Sequence, residues 1–168
     1  AVLPDPTVCF AEADFAQTQR YDLHADASLA FADWLTSGRH GAGERWAFSR
    51  YENRLAITRN GRPILRDALV LESDLDSIAE RMGRFEVLLT AVLTGPLVSD
   101  GAEMILRQTM QTPITRGADL VVSASRLGDG GTLLRMAGVS VEQVGRALRE
   151  CFAFLSPLLG DDPWSRKW

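Results

Sequence analysis

The feature that most limits the fold is a hairpin written into residues 54–66, Arg54-Leu55-Ala56-Ile57-Thr58-Arg59-Asn60-Gly61-Arg62-Pro63-Ile64-Leu65-Arg66. Asn60-Gly61 suits a two-residue type I′ loop, in which both residues need positive φ. Apolar residues alternate on either side, as a pleated strand with a covered face requires. With those two residues at the tip, Ile57 is expected to pair with Ile64 and Leu55 with Arg66. Leu55, Ile57 and Ile64 then share one face. Pro63 has no N–H to give a ladder, so its nitrogen belongs at the turn end or an edge.

The chain before this hairpin also reads as strands. Residues 7–10 are short and β-rich. Residues 15–23 alternate, with Phe15, Gln17, Gln19, Tyr21 and Leu23 on one face, and residues 27–36 place Leu29, Phe31, Asp33 and Leu35 together. Period-two alternation is the mark of a half-buried strand. Residues 85–93, Phe-Glu-Val-Leu-Leu-Thr-Ala-Val-Leu, are almost continuously apolar. They are expected to form a strand covered on both faces and closed by Gly95-Pro96, with a buried helix as the alternative. A second hairpin is expected at Asp129-Gly130, joining residues 118–126 to 131–137.

Helices come late. Ser140-Val141-Glu142-Gln143 reads as a capping box, with Val139 and Val144 placed for a hydrophobic staple. Val141, Val144, Leu148, Cys151 and Leu155 follow at helical spacing, and the helix is expected to fade near Ser156-Pro157. Weaker patterns predict helices over residues 97–110 and 74–82, the second opening on the acidic run Glu72-Ser73-Asp74-Leu75-Asp76, which suits a helix N-terminus. The pattern is mainly β with a helical minority, in one domain over residues 1–168. Neither an internal repeat nor a long linker divides it.

Composition narrows the function. The 168 residues carry a net charge of −4, which argues against a nucleic-acid footprint or a polybasic membrane patch. No apolar run reaches the length of a membrane span, and no basic-then-apolar leader opens the chain. Two cysteines, Cys9 and Cys151, make no disulfide framework and suit a reducing cytoplasm as small buried hydrophobes. The arginines 50, 54, 59, 62 and 66 lack interleaved aromatics and read as a solvated strand face.

Catalytic signatures are sparse. Neither a Gly-x-Ser-x-Gly elbow nor a phosphate-binding loop occurs, and Gly128-Asp129-Gly130-Gly131 reads as a turn. The histidines, His24 and His40, read as loop and turn residues, and zinc-type ligand spacing is missing. A transient site is conceivable because Asp22, His24, Asp33, His40 and Glu44 are close in sequence, and such N/O ligands suit hard or borderline ions.

One stretch stands apart: Asp33-Trp34-Leu35-Thr36-Ser37-Gly38-Arg39-His40-Gly41-Ala42-Gly43-Glu44, an apolar strand running into a glycine-rich turn with a guanidinium and a carboxylate at its ends. With its flanks it resembles the UreD (or UreH) family of urease accessory proteins. Leu3-Pro4-Asp5-Pro6-Thr7-Val8-Cys9-Phe10 resembles that family's Leu-Pro-x-Pro-Thr-Ile-x-Phe strand, and Arg20-Tyr21-Asp22-Leu23 its Arg-x-Asp-Leu segment. Asp33, Gly38, Arg39, Gly43 and Glu44 carry its Leu-x-x-Trp-(Asp/Glu)-x-x-x-Leu-Gly-Arg-x-x-x-Gly-Glu motif. Residues 54–67, Gly131-Thr132-Leu133-Leu134-Arg135 and Arg166-Lys167-Trp168 also fit. Phe31 stands where the family has Trp, and Ser37 where it has a small apolar residue. Against the family pattern the chain corresponds to the C-terminal two-thirds, without an earlier segment that includes Gly-Gly-Asp.

The resemblance implies stacked twisted antiparallel sheets with about two α-helices toward the C-terminus, and a scaffold rather than an enzyme. It implies assistance to nickel insertion into apo-urease, in the cytoplasm, together with UreF and the GTPase UreG. No cofactor is expected to be held tightly, only nickel in transit. Asp22, Asp33 and Glu44 are the candidate contacts along its path, with Gly38, Arg39 and Gly43 organising the turn. Val141, Val144, Leu148, Trp164 and Trp168 are the candidate partner surface; nucleic acid and membrane are not expected partners, and a homodimer stays open. The competing readings are a ligand- or carbohydrate-binding β domain, prompted by four tryptophans, and a hydrolase whose site carries no familiar motif.

Overall fold

A computed structural model describes residues 1–73 and 77–165. Asn60 and Gly61 both take positive φ, 48° and 74°, and the tight hairpin forms around them. It joins β4 (Arg50–Arg59) to β5 (Arg62–Glu72). Arg59 pairs with Arg62 and Thr58 with Pro63, and a bulge between Ile57 and Thr58 then shifts the register. Ile57 therefore pairs with Leu65 and Leu55 with Asp67, in place of the expected Ile64 and Arg66. The extra residue is Ile64, next to Pro63, which has no N–H to give the ladder.

The remaining strands are β1 (Thr7–Val8), β2 (Asp14–Leu23), β3 (Leu29–Thr36), β6 (Val87–Thr94), β7 (Leu120–Arg126) and β8 (Thr132–Gly138). They form two separate sheets, ordered β1-β3-β6-β8-β7 and β2-β4-β5. Most ladders are antiparallel. Two are parallel, β1 with β3 and β2 with β4, so each sheet is mixed where the family resemblance implied antiparallel pairing alone. β3 lies between β2 and β4 in sequence but in the other sheet. The chain thus crosses from one sheet to the other and back, and β2 and β4 can run side by side in the same direction.

The sheets stack, and a helical layer covers the far face of the larger one. β3 is buried throughout. Its Ala30, Ala32 and Trp34 join Val87, Leu89, Ala91 and Leu93 of β6 in a core beneath α2 (Ser99–Gln111) and α3 (Val141–Cys151). This differs from the half-buried strand that its alternation predicted, because helices take the face left for solvent. β6 is likewise covered on both sides, as its apolar run requires.

Ser140 caps α3, its Oγ accepting from the Gln143 amide at 3.2 Å. The helix stops at Cys151, short of the expected Ser156-Pro157, and a new short helix, α4 (Leu155–Leu159), begins after a turn. Pro157 sits in the first turn of α4, where a missing N–H costs nothing. A further short helix, α1, spans Ile78–Met82. The expected start of that helix at 74–76, and the terminal Arg166-Lys167-Trp168, lie outside the described residues.

Candidate functional site: a polar layer between the sheets

The space between the two sheets is not one hydrophobic core but two. One cluster contains Cys9, Leu35, Phe48, Tyr51 and Leu71. The other contains Leu29, Phe31, Leu55, Ile57 and Val92. On β3 the residue between Leu35 and Phe31 on that face is Asp33, and on β4 the residue between Tyr51 and Leu55 is Asn53. Polar side chains thus divide the apolar interior.

Asp33 is 6% exposed. Its Oδ2 accepts three hydrogen bonds from the opposite sheet: Gln19 Nε2 at 2.6 Å, Asn53 Nδ2 at 2.8 Å and Gln17 Nε2 at 2.9 Å. Among the described residues no cationic side chain hydrogen-bonds it. Burial raises its pKa above the ordinary aspartate value, and the amide donors and the Trp34 backbone pull partly the other way. Tyr21 donates to Gln19 Oε1 at 3.3 Å. The phenols of Tyr21 and Tyr51 are pushed up by burial first and by the Asp33 charge second, so they stay protonated at neutral pH.

The layer continues across the larger sheet. Asp33 is the cross-strand partner of Thr90 on β6, and Thr90 that of Arg135 on β8. Cross-strand partners project from the same face. Arg135 forms an ion pair with Asp67 of β5, bridging the two sheets. A groove of about 390 Å³ opens there, lined by Asp67, Leu69, Leu88, Thr90, Ser123 and Arg135 among others.

The three candidate carboxylates do not converge. Asp22 lies on the outer, exposed face of β2, where it accepts from the Thr58 hydroxyl. Glu44 stands in the turn after β3. Arg39 holds it through two hydrogen bonds, Nε to Oε2 at 3.0 Å and Nη2 to Oε1, and the Ala11 amide adds a third at 3.1 Å. Arg39 lowers the Glu44 pKa first of all, and its guanidinium also lies 4.4 Å from the centre of the Phe10 ring. Gly38 has φ +127° and sits so close to the Glu44 carbonyl that a Cβ there would be 3.1 Å from it.

The partner residues that the family resemblance suggested fall mostly inside. Val144 and Leu148 are fully buried against the sheet, which corrects their assignment to an open surface, and Val141 and Trp164 pack at the border of the same core. Trp168 lies outside the described residues. The exposed large apolar side chains are others: Leu97, Met110, Ile114, Leu158 and Leu159 on the helical side, with Val8, Phe10 and Val70 elsewhere. Trp34 and Trp46 are buried, so neither offers a stacking platform to a sugar.

Sequence reasoning also missed Arg59, which it placed on a solvated strand face. Its guanidinium donates to the carbonyls of His24, Ala25 and Ala27, to Thr94 Oγ1 and to Asp129, tying the hairpin tip to two distant turns. No local signal marks it, because every partner is remote in sequence.

A carboxylate, three carboxamides and two protonated phenols can hold or pass charge. Among the described residues, no group of three or more His, Cys, Asp and Glu side chains could grip a metal. No helix among them is long and apolar enough to cross a membrane. The fold is thus a β-sandwich of two mixed sheets with a polar layer between them and helices on one face. More particularly, the chain belongs to the UreD urease accessory protein family, whose model matches residues 1–168. It is 48% identical over 166 residues to the urease accessory protein UreD of Sorangium cellulosum, covering 99% of this chain and 53% of that protein. It is 40% identical over 167 residues to the UreD of Anaeromyxobacter sp. (99% and 56%). It is 30% identical over 188 residues to the urease accessory protein D of Oryza sativa subsp. japonica (98% and 61%). The chain therefore spans a little over half the length of these relatives.

Proposed function

We propose that this protein is a scaffold of urease maturation that makes and breaks no covalent bonds, working in the cytoplasm with UreF, the GTPase UreG and apo-urease. Nickel passes through the assembly as cargo, and the polar layer around Asp33 is the part of this chain that it meets. The observation carrying this reading is a buried carboxylate that divides the apolar interior between the sheets and, among the described residues, takes its side-chain hydrogen bonds from neutral carboxamides. A folded domain gains little stability from such a group, since burial opposes its charge. A cation in transit gains a counter-charge.

The chemistry suits passage rather than storage. Nickel accepts oxygen and nitrogen ligands, and one carboxylate with neutral neighbours holds a divalent ion weakly enough to release it. Asp22 and Glu44 enter as surface contacts outside the layer, Glu44 restrained by Arg39. The partner surface is assigned to the helical side, where Leu97, Met110, Ile114, Leu158 and Leu159 stand exposed.

A pull-down with UreF and with apo-urease tests the scaffold reading. Retention of both partners is expected, and Met110→Asp with Ile114→Asp is expected to weaken it. Failure to retain either partner contradicts the proposal.

A further inference from the structure

The three carboxamides around Asp33 are spaced like ligands. Their nitrogens lie 2.6, 2.8 and 2.9 Å from one carboxylate oxygen, and Gln19 Nε2 lies 3.3 Å from Asn53 Oδ1. Oxygens in an octahedral shell at about 2.0–2.1 Å from a small divalent cation are about 2.9 Å from their neighbours. Each carboxamide end therefore stands at a distance from Oδ2 that a shared ion would accept, which is also the ordinary length of an N–H···O hydrogen bond.

A carboxamide carries a donor and an acceptor on one planar end of nearly symmetric shape. A half-turn about its last torsion exchanges N–H for C=O without moving the chain. The surroundings permit that turn. Tyr21 now donates to Gln19 Oε1. A hydroxyl can accept as well as donate, so after the half-turn it takes up the Gln19 N–H instead.

Resting on the passage reading above, we propose that Gln17, Gln19 and Asn53 are the oxygen ligands with which Asp33 receives a divalent cation, each turning its carboxamide from N–H to C=O as the ion arrives. With no ion they neutralise Asp33 by donating to it. With an ion they face it together with the carboxylate. One negative charge against two positive ones keeps the complex exchangeable.

The test adds a second carboxylate, in Gln19→Glu and separately in Asn53→Asp, and uses Ni²⁺ alone as probe on the purified protein. Two like charges in the layer lower the melting temperature of each variant without metal. Ni²⁺ is expected to restore it, with affinity about tenfold or more above the native protein, since carboxylate count sets divalent affinity. In Gln19→Glu with Asp33→Asn that gain is expected to vanish. Folded variants whose melting temperature does not respond to Ni²⁺ overturn the proposal. Should either variant fail to fold, the native protein decides. Its Gln17, Gln19 and Asn53 side-chain amide resonances must broaden on Ni²⁺ titration ahead of those of exposed Gln108 and Gln111, and equal broadening overturns the proposal. Ni²⁺ insensitivity with urease activation still lost in Asp33→Asn removes the ligand set and keeps the passage. A Ni²⁺ response with activation intact in Asp33→Asn keeps the ligand set and removes the passage.

Discussion

Asn53 on β4 donates its Nδ2 hydrogen to Oδ2 of Asp33 on β3 across 2.8 Å, joining two sheets that share no backbone ladder. With Gln17 and Gln19 it replaces apolar packing at the middle of the sandwich. Its consequences are measurable.

Replacing Asp33 separates its charge from its acceptor role. Asp33→Ala strands three amide donors and is expected to cost about 3 kcal/mol or more. Asp33→Asn keeps the shape and removes a buried charge, so stability near neutral pH is expected unchanged or higher. The pH dependence follows from the raised pKa. Between the unfolded and folded pKa values the native state keeps a proton that the unfolded chain has lost. Stability therefore falls as pH rises through that window and is recovered on acidification. Urea midpoints across the window should show this slope in the native protein and its loss in Asp33→Asn.

The turn after β3 gives a comparison of two glycines. Gly38 combines φ +127° with backbone 3.1 Å from any Cβ, whereas Gly43 has φ +73° and open space. Gly38→Ala is expected to cost about 2–3 kcal/mol and Gly43→Ala about 1 kcal/mol. Equal losses by chemical denaturation would show that φ alone, and not the close approach to Glu44, governs the turn.

Glu44 owes its lowered pKa chiefly to Arg39. In Arg39→Ala its carboxyl should titrate closer to the ordinary glutamate range, as read by carbon NMR of the side chain. Any stability that the pair lends is present above the unfolded pKa and lost as pH falls through the folded one. A titration unchanged in the variant would leave the Ala11 amide as the main cause.

Ser140→Ala removes the N-cap of α3, where the Ser140 hydroxyl accepts from the Gln143 amide. The expected loss is about 1 kcal/mol, with faster amide exchange in the first turn of the helix.

Much of this was legible because it is local. The Asn60-Gly61 loop, the cap at Ser140 and the shared face of Phe15, Gln17, Gln19, Tyr21 and Leu23 each follow from neighbouring residues. Two glutamines among apolar residues on that face, and Asp33 among Leu29, Phe31 and Leu35, were the visible traces of the polar layer. Their meeting was not legible. It depends on β2 pairing in parallel with β4 while β3 joins the other sheet, a long-range choice that no window of sequence contains. The bulge beside Pro63 and the reach of Arg59 to the carbonyls of residues 24, 25 and 27 and to Thr94 and Asp129 were hidden for the same reason. Val144 and Leu148 show the opposite failure: their helical spacing was read correctly, but an apolar stripe does not say whether its own sheet or a partner covers it.

Activation of apo-urease in the presence of UreF and UreG, with nickel limiting, bears most directly on the passage. Asp33→Asn, folded and still retaining both partners, is expected to lower the rate of activation several-fold, while Asp22→Asn has a smaller effect. Activation by Asp33→Asn at the native rate would mean that the carboxylate between the sheets takes no part in moving the ion.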